Sequence, residues 1–182
     1  MNKYFYYMRH GESDCQKALV DDHLRYGLNE TGRSQAANVA REIRDLGIER
    51  VFSSPVPRAF ETANIIFPEK KIEVVESLKE CSSDVWLHIH QNISSEEKEE
   101  FKREIFKGLE CIEELLFQER SLVVAHGGVF WGLAQYFDFE FYLLDNVQIV
   151  KVPLRICSSQ TLPKPSDLRN IPTHCLIKKS PL

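Results

Sequence analysis

Two histidines in this sequence are each followed by glycine, and two arginines occur in similarly short polar motifs. Arg9 and His10 precede Gly11, His126 precedes a pair of glycines, and Arg58 follows a Ser-Ser-Pro step. A neutral imidazole can attack phosphorus and form a covalent intermediate, and a planar guanidinium binds phosphate through two parallel hydrogen bonds. Together these residue types predict phosphoryl transfer at a cationic site that needs no metal.

Strand signals and helix signals alternate along the chain. Strands are predicted at residues 3–8, 50–53, 72–75, 121–125 and 146–152. Helices are predicted at 31–46, at 55–66 with Ser54 as the N-cap, at about 94–118 after a Ser94-x-x-Glu97 capping box, and from Gly128 to about Tyr136. This alternation favours an α/β domain with a mainly parallel sheet.

In such a sheet, ligands bind beyond the carboxyl ends of the strands. His10 and His126 each follow a predicted strand, and a third predicted strand ends at Ser53-Ser54-Pro55, with Arg58 one turn further on. A histidine or an arginine in any one of these positions is usually structural. We expect the three strand ends to meet at one edge of the sheet, which would make the four side chains a single site.

Composition limits the classes of protein that the sequence fits. The 182 residues suit one domain, expected to span 1–182, and 23 basic against 27 acidic residues give a net charge of −4, unlike a general nucleic-acid binder. The five cysteines are widely spaced and form no Cys-x-x-Cys pair, which indicates reduced thiols and a cytoplasmic location. With no run of about 20 apolar residues, no membrane association is expected.

Four segments, in order along the chain, resemble motifs of the histidine phosphatase superfamily, which has the phosphoglycerate mutase-like fold. They are Arg9-His10-Gly11-Glu12-Ser13, Leu28-Asn29-Glu30-Thr31-Gly32-Arg33-Ser34-Gln35-Ala36, Ser53-Ser54-Pro55 with Arg58-Ala59 and Glu61-Thr62-Ala63, and Val123-Val124-Ala125-His126-Gly127-Gly128. The resemblance covers about residues 3–66 and 121–152. It implies a three-layer α/β fold with helices on both faces of a mainly parallel central sheet.

The resemblance also implies roles for individual residues. His10 would be the nucleophile that becomes phosphohistidine. Arg9, Arg58 and His126 would hold the phosphate, and the backbone at Gly127 would approach it closely.

The general acid of the family is a glutamate that follows a leucine and usually a basic residue after the third strand. Glu80, which follows a Leu-Lys pair, fits this pattern, and Glu76 is the second candidate. The sequence departs from the family at Cys15-Gln16, where relatives often have Trp-Asn. Gln16 has a longer side chain that can donate a similar hydrogen bond to phosphate. It departs again after Trp86, where a Trp-Glu-Gly stretch is common.

The 45 residues between Glu80 and His126 contain the longest predicted helix and leave little chain for a lid. Because an open site admits water, hydrolysis is favoured over return of the phosphoryl group to an acceptor. The expected function is therefore a phosphatase without metal or cofactor, acting on a phosphorylated small molecule or phosphoprotein. The alternatives are a cofactor-dependent mutase of the phosphoglycerate type and a noncatalytic module that binds phosphorylated ligands. The sequence leaves the substrate and the oligomeric state open.

Two weaker features complete the sequence predictions. His88-x-His90 would place two imidazoles on one face of a strand, as in some metal sites, but a surface pair is the favoured interpretation. The last 30 or so residues are rich in proline and are predicted to form loops with one possible edge strand.

Overall fold

A five-stranded sheet forms the centre of the protein, whose computed structural model describes residues 4–16 and 23–153. The strands are β1 (Tyr4–Arg9), β2 (Arg50–Ser53), β3 (Ile72–Val74), β4 (Ser121–Ala125) and β5 (Ile149–Pro153). They lie in the order β3-β2-β4-β1-β5, with β5 antiparallel to β1 and every other pair parallel. The prediction of a mainly parallel sheet is confirmed.

Within the described residues, five α-helices accompany the sheet. They are α1 (Glu30–Glu42), α2 (Pro57–Ile66), α3 (Ser83–His90), α4 (Glu96–Gln118) and α5 (Gly127–Phe137). Successive strand residues face opposite sides of a sheet, so β1 contributes Phe5 and Tyr7 to the core under α4 and α5, and Tyr6 and Met8 to the core under α1 and α2. The predicted three-layer architecture is confirmed.

Two helix starts differ from the sequence predictions. The third predicted helix, α4, is capped by Ser95, whose side chain accepts from the backbone N–H of Lys98, and not by Ser94. Helix α2 begins at Pro57 after Val56, and Ser54 does not cap it. Proline tolerates the first turn because its missing N–H has no partner there in any case. Displacing the helix start by two residues leaves the Ser54 side chain for another contact.

Two element ends also move for local reasons. Helix α1 ends at Glu42, and a short 3-10 turn, Arg44–Leu46, leads to Gly47, whose positive φ of 59° suits a residue without Cβ. Strand β5 begins at Ile149, not at residue 146, because a turn closes before it with Gln148 donating its N–H to the carbonyl of Asp145 at 3.2 Å.

Helix α3 is absent from the sequence predictions. It packs against α4 and α5 through a small cluster formed by Val85, Ile89 and Trp131. The disfavoured alternative of a metal pair on one face of a strand at His88-x-His90 is therefore wrong, because both residues lie on a helix, where residues two apart face different directions. Within 4–16 and 23–153, no group of three or more His, Cys, Asp or Glu side chains is arranged to hold a metal ion.

Some predictions fall outside the described residues. These concern residues 17–22, the side chain of Gln16, and the loops and edge strand expected after residue 153. No helix in the described ranges is both long and apolar enough to cross a membrane.

Candidate active site

The carboxyl ends of three adjacent strands bring the predicted residues together. Arg9 lies opposite Ala125 in the β1–β4 pair, and the N–H of His10 donates to the carbonyl of Ala125 at 3.0 Å. On the other side of β4, the N–H of Ser54 donates to the carbonyl of Val124 at 3.0 Å. The pairing therefore continues past the end of each strand, and it sets the residues that follow β1, β2 and β4 side by side.

A cavity of about 300 Å³ opens at this edge of the sheet. Its lining consists of Arg9, His10, Cys15, Arg58, Glu80, Cys81, Ser82, Ser83 and Trp86. The ring of His126 lies behind this lining, with its centroid 5.0 Å from that of His10. The structure thus places both histidines, both arginines and the candidate acid at one site.

The contacts of His10 define which nitrogen carries its proton. Nδ1 lies 2.7 Å from the carbonyl oxygen of Gly11, which can only accept, and Nε2 lies 3.1 Å from Nε of Arg58, which can only donate. The proton is therefore on Nδ1, and Nε2 keeps its lone pair. Burial, reinforced by the charge of Arg58, lowers the pKa of His10 well below its ordinary value. The ring is neutral and nucleophilic near neutral pH.

The two arginines provide positive charge with little solvent around it. Arg58 is 2 % exposed, and burial lowers its pKa. Arg9 donates through Nη1 to the carbonyl of Leu144 at 2.7 Å, while its buried Nε has no hydrogen-bond partner among the described residues. A desolvated cation gains strongly from an anion, and a phosphate fits a site with two buried guanidiniums and the unpartnered Nε of Arg9.

Glu80 uses its two oxygens differently. Oε1 accepts from the backbone N–H groups of Cys81 at 3.1 Å and Gly128 at 3.2 Å, and from the Cys81 thiol at 3.4 Å. Oε2 lies 3.8 Å from Nδ1 of His126. Burial raises the pKa of Glu80, against the opposite effect of Arg58 and the Cys81 N–H. When the carboxyl group is protonated, the geometry leaves Oε2 as the oxygen that carries the proton.

Glu76, the second candidate for this acid, is placed differently. Its side chain is 72 % exposed and pairs with Nζ of Lys79 at 2.7 Å. Glu76 belongs to a 3-10 turn, Glu76–Leu78, that precedes the cavity wall, and it is not among the lining residues. Of the two carboxylates, the structure brings Glu80 to the cavity.

His126 is fully buried and held on two sides. Its backbone carbonyl accepts from the hydroxyl of Tyr7 at 2.6 Å, and its Nε2 lies 2.8 Å from Oγ of Ser54. Gly127 follows it as the first residue of α5, where an added Cβ would come within 2.5 Å of the Trp86 ring. Glycine is therefore required for Trp86 to approach the backbone beside the site.

The model of the histidine phosphatase superfamily (branch 1) matches residues 5–110 of this sequence. The chain belongs to this superfamily.

Curated relatives with similar sequences include proteins described as mutases. A 2,3-bisphosphoglycerate-dependent phosphoglycerate mutase of Thermoplasma acidophilum is 40% identical over 70 residues, which is 37% of this chain and 35% of the mutase. Phosphoglycerate mutase-like protein 4 of Arabidopsis thaliana is 32% identical over 154 residues, which is 69% of this chain and 67% of the relative.

Solved structures of the same fold include both mutases and phosphatases. The phosphoglycerate mutase from Bacillus anthracis str. Sterne superposes with a TM-score of 0.67 and 19% identity, over 91% of this chain and 95% of the other. The alpha-ribazole phosphatase from Shigella flexneri gives a TM-score of 0.67 and 17% identity, over 81% and 89% of the two chains. These likenesses confirm the phosphoglycerate mutase-like fold.

Other residues at the site have no catalytic or binding role in the sequence prediction, among them Tyr7, Ser54, Cys81 and Trp86. Ser54 was visible as part of the Ser-Ser-Pro motif, but the nearby proline made a helix cap the more natural interpretation. Trp86 was visible only as a departure from the family pattern. Tyr7 and Cys81 carry no sequence signal for the site, because their contacts depend on the packing around β4 and α5.

Proposed function

We propose that this protein is a phosphatase that hydrolyses phosphomonoesters, or phosphohistidine, through a covalent phosphohistidine on Nε2 of His10. The observation that carries the proposal is the tautomer of His10, whose Nδ1 is bonded to the Gly11 carbonyl at 2.7 Å while Nε2 keeps its lone pair beside Arg58. A buried nucleophile in this state, next to two guanidiniums, suits attack on phosphorus.

In the first step, Nε2 of His10 attacks phosphorus and the bond from phosphorus to the leaving oxygen breaks. The leaving oxygen takes the proton of Glu80 from Oε2. Arg9 and Arg58 neutralise the oxygens of the phosphoryl group as it moves. Before the attack, the Nε–H of Arg58 must turn from Nε2 of His10 toward a phosphoryl oxygen, because it donates to this lone pair at 3.1 Å.

In the second step, a water molecule attacks the phosphorus of phosphohistidine. The Glu80 carboxylate takes a proton from this water, the bond between phosphorus and Nε2 breaks, and its electron pair returns to the imidazole. Inorganic phosphate leaves, and both His10 and Glu80 regain their starting protonation states. The charges and protons balance without a metal ion.

Hydrolysis is preferred over mutase activity because the cavity wall reaches solvent. Ser82 and Ser83 both line the cavity and are exposed, which gives water a route to the phosphoenzyme. Neighbours with phosphatase descriptions, such as the phosphoserine phosphatase of Entamoeba histolytica, have the same fold, which is therefore compatible with hydrolysis. A noncatalytic binding module is disfavoured because nucleophile, cations and acid are all assembled.

The proposal includes the class of substrate and the location of the protein. The substrate is a phosphorylated small molecule or phosphoprotein, with no part for nucleic acid or membrane. Cys15, Cys81 and Cys111 are free thiols in the described chain, which is consistent with a cytoplasmic location.

The fate of the phosphoryl group tests the proposal against the mutase alternative. With a phosphomonoester labelled in its phosphoryl group, we expect the label to appear in inorganic phosphate, with or without EDTA and in the presence of excess 3-phosphoglycerate. Transfer of most of the label to the monophosphate acceptor would establish the mutase instead. Tight binding of labelled ligands with no turnover would favour the binding module, and loss of turnover in EDTA would disprove metal independence.

The pH dependence of phosphoenzyme formation is a second prediction. The step needs neutral His10, whose pKa is lowered from 6.5 by burial, and protonated Glu80, whose pKa is raised from 4.5 by burial. We therefore expect a bell-shaped profile with its acid limb below pH 6.5 and its alkaline limb above pH 4.5. Single-turnover rates against pH would check this, and the alkaline limb should disappear in Glu80→Gln. Its persistence in that variant would assign the limb to another group.

A further inference from the structure

We infer that Ser54 fixes the tautomer of His126, so that Nδ1 of His126 presents an N–H to the phosphoryl group. The contact with the phosphoryl group rests on the proposed function, whereas the tautomer of His126 follows from the hydrogen bonds of Ser54 alone. Ser54 would then be a positioning residue, acting on the phosphoryl group through His126 and not by contact with it.

The hydroxyl of Ser54 is fully buried and has two neighbours in the described chain. Oγ accepts from the backbone N–H of Val56 at 3.2 Å and lies 2.8 Å from Nε2 of His126. A hydroxyl has one proton to donate, and the Val56 N–H cannot receive it. The imidazole nitrogen is the acceptor that the described contacts of Oγ provide, so the hydroxyl donates to Nε2.

The hydrogen bond from Ser54 determines which nitrogen of the His126 ring carries the proton. A nitrogen that accepts a hydrogen bond carries no proton, and a fully buried imidazole favours its neutral form, which has one N–H. The proton of His126 is therefore on Nδ1. This atom lies 3.8 Å from Oε2 of Glu80, a residue that lines the cavity. The hydroxyl of Tyr7, bonded to the His126 carbonyl at 2.6 Å, holds the backbone from which the ring projects.

The two histidines then share a tautomer but use opposite edges of the ring. In His10 the Nδ1 proton is bound by the Gly11 carbonyl, and Nε2 faces the cavity as a nucleophile. In His126 the Ser54 hydroxyl occupies Nε2, and the Nδ1 proton is the donor on the edge of the ring nearer Glu80. The site thereby gains an attacking lone pair from one histidine and a neutral hydrogen-bond donor from the other. The Gly11 carbonyl fixes the tautomer of the first, and the Ser54 hydroxyl fixes that of the second.

The test compares Ser54→Ala with Ser53→Ala. Ser53 is equally buried, and in the described part of the chain its hydroxyl bonds only to the Ser54 carbonyl at 2.9 Å, so S53A matches S54A in burial and in the loss of one hydroxyl. Two-bond proton–nitrogen NMR correlations of the imidazoles report the tautomer directly, with the His126 signals assigned by their loss in His126→Gln. We expect Nε2 of His126 to be unprotonated in wild type and in S53A, and to gain proton occupancy in S54A.

Kinetics and ligand binding provide the second measurement. Removal of a preorganised donor typically costs on the order of a hundredfold in kcat, and a tautomer mixture loses part of that, so S54A should reduce kcat about tenfold or more, with a smaller change in KM. Binding of inorganic phosphate should weaken in the same variant and stay near wild type in S53A. Ser54→Thr, which keeps the hydroxyl, should restore the wild-type tautomer and most of kcat.

The inference is overturned if wild-type Nε2 carries the proton, or if S54A and S53A give the same NMR signals and the same kcat. Should neither Ser54 variant fold, as judged by thermal unfolding, the wild-type NMR signals alone decide. Failure of the proposed function has a different signature, because it would abolish turnover in wild type without changing the tautomer of His126.

Discussion

Substitution of His10 by alanine is expected to reduce turnover of any phosphomonoester by at least about a thousandfold. The variant lacks the nitrogen lone pair that attacks phosphorus, so no covalent intermediate forms. Arg9, Arg58 and His126 remain to bind phosphate. Acid-sensitive, base-stable label from a phosphorylated substrate should be trapped on wild-type protein in a rapid-quench experiment and be absent from His10→Ala.

His88→Ala is the matched control for this experiment. Its ring bonds to Ser95 at 2.9 Å and lies on α3 outside the cavity lining, so the variant should keep wild-type turnover. Wild-type activity in His10→Ala would refute the proposed nucleophile. Equal losses in both variants would point to general destabilisation of the fold, which thermal unfolding of each protein would reveal.

Glu80→Gln is expected to slow hydrolysis of alkyl phosphates by about a hundredfold to ten-thousandfold. The amide keeps an oxygen to accept from the Cys81 and Gly128 N–H groups, but it has no proton to give to the leaving oxygen. An aryl phosphate such as p-nitrophenyl phosphate needs no such proton, so its first step should be nearly unaffected. The second step still lacks a base, and the variant should therefore release about one equivalent of p-nitrophenol in a burst and accumulate phosphoenzyme.

Glu76→Gln is the control for the carboxylate. Because Glu76 is exposed and pairs only with Lys79 in the described contacts, this variant should show neither the burst nor the dependence on leaving group. A burst in Glu76→Gln and none in Glu80→Gln would exchange the two assignments. An equal, small effect of both variants would show that neither Glu76 nor Glu80 is the general acid.

The sequence predicts the site best where strand ends determine position. His10 and His126 follow β1 and β4, which are short, apolar and buried, so their pairing and the direction of the following residues are predictable from pattern alone. The choice between Glu80 and Glu76 was not predictable to the same degree, since both follow β3 closely. It is decided by the 3-10 turn Glu76–Leu78, which leaves Glu76 in solvent and directs the chain inward at Leu78.

Helix α3 escaped prediction for a different reason. It has eight residues, and a helix of this length is marginal without tertiary contacts. Its stability comes from packing of Val85 and Ile89 against Trp131, which lies far away in sequence. The misassignment of Ser54 has the same origin, because its partner His126 lies on a different strand end. Contacts between residues distant in sequence determine both the formation of α3 and the role of Ser54, and the local sequence pattern does not indicate such contacts.

The position of β4 between β1 and β2 has a consequence for biosynthesis. His10 and Arg58 are synthesised early. Strand β4, which pairs with both β1 and β2 and so brings the ends of these strands side by side, is synthesised much later. A nascent chain whose residues 121–126 have not yet emerged from the ribosome lacks β4, the central strand of the sheet, and His126. In the proposed function, the phosphate site is therefore complete only after β4 and His126 have been synthesised and the sheet has closed around them.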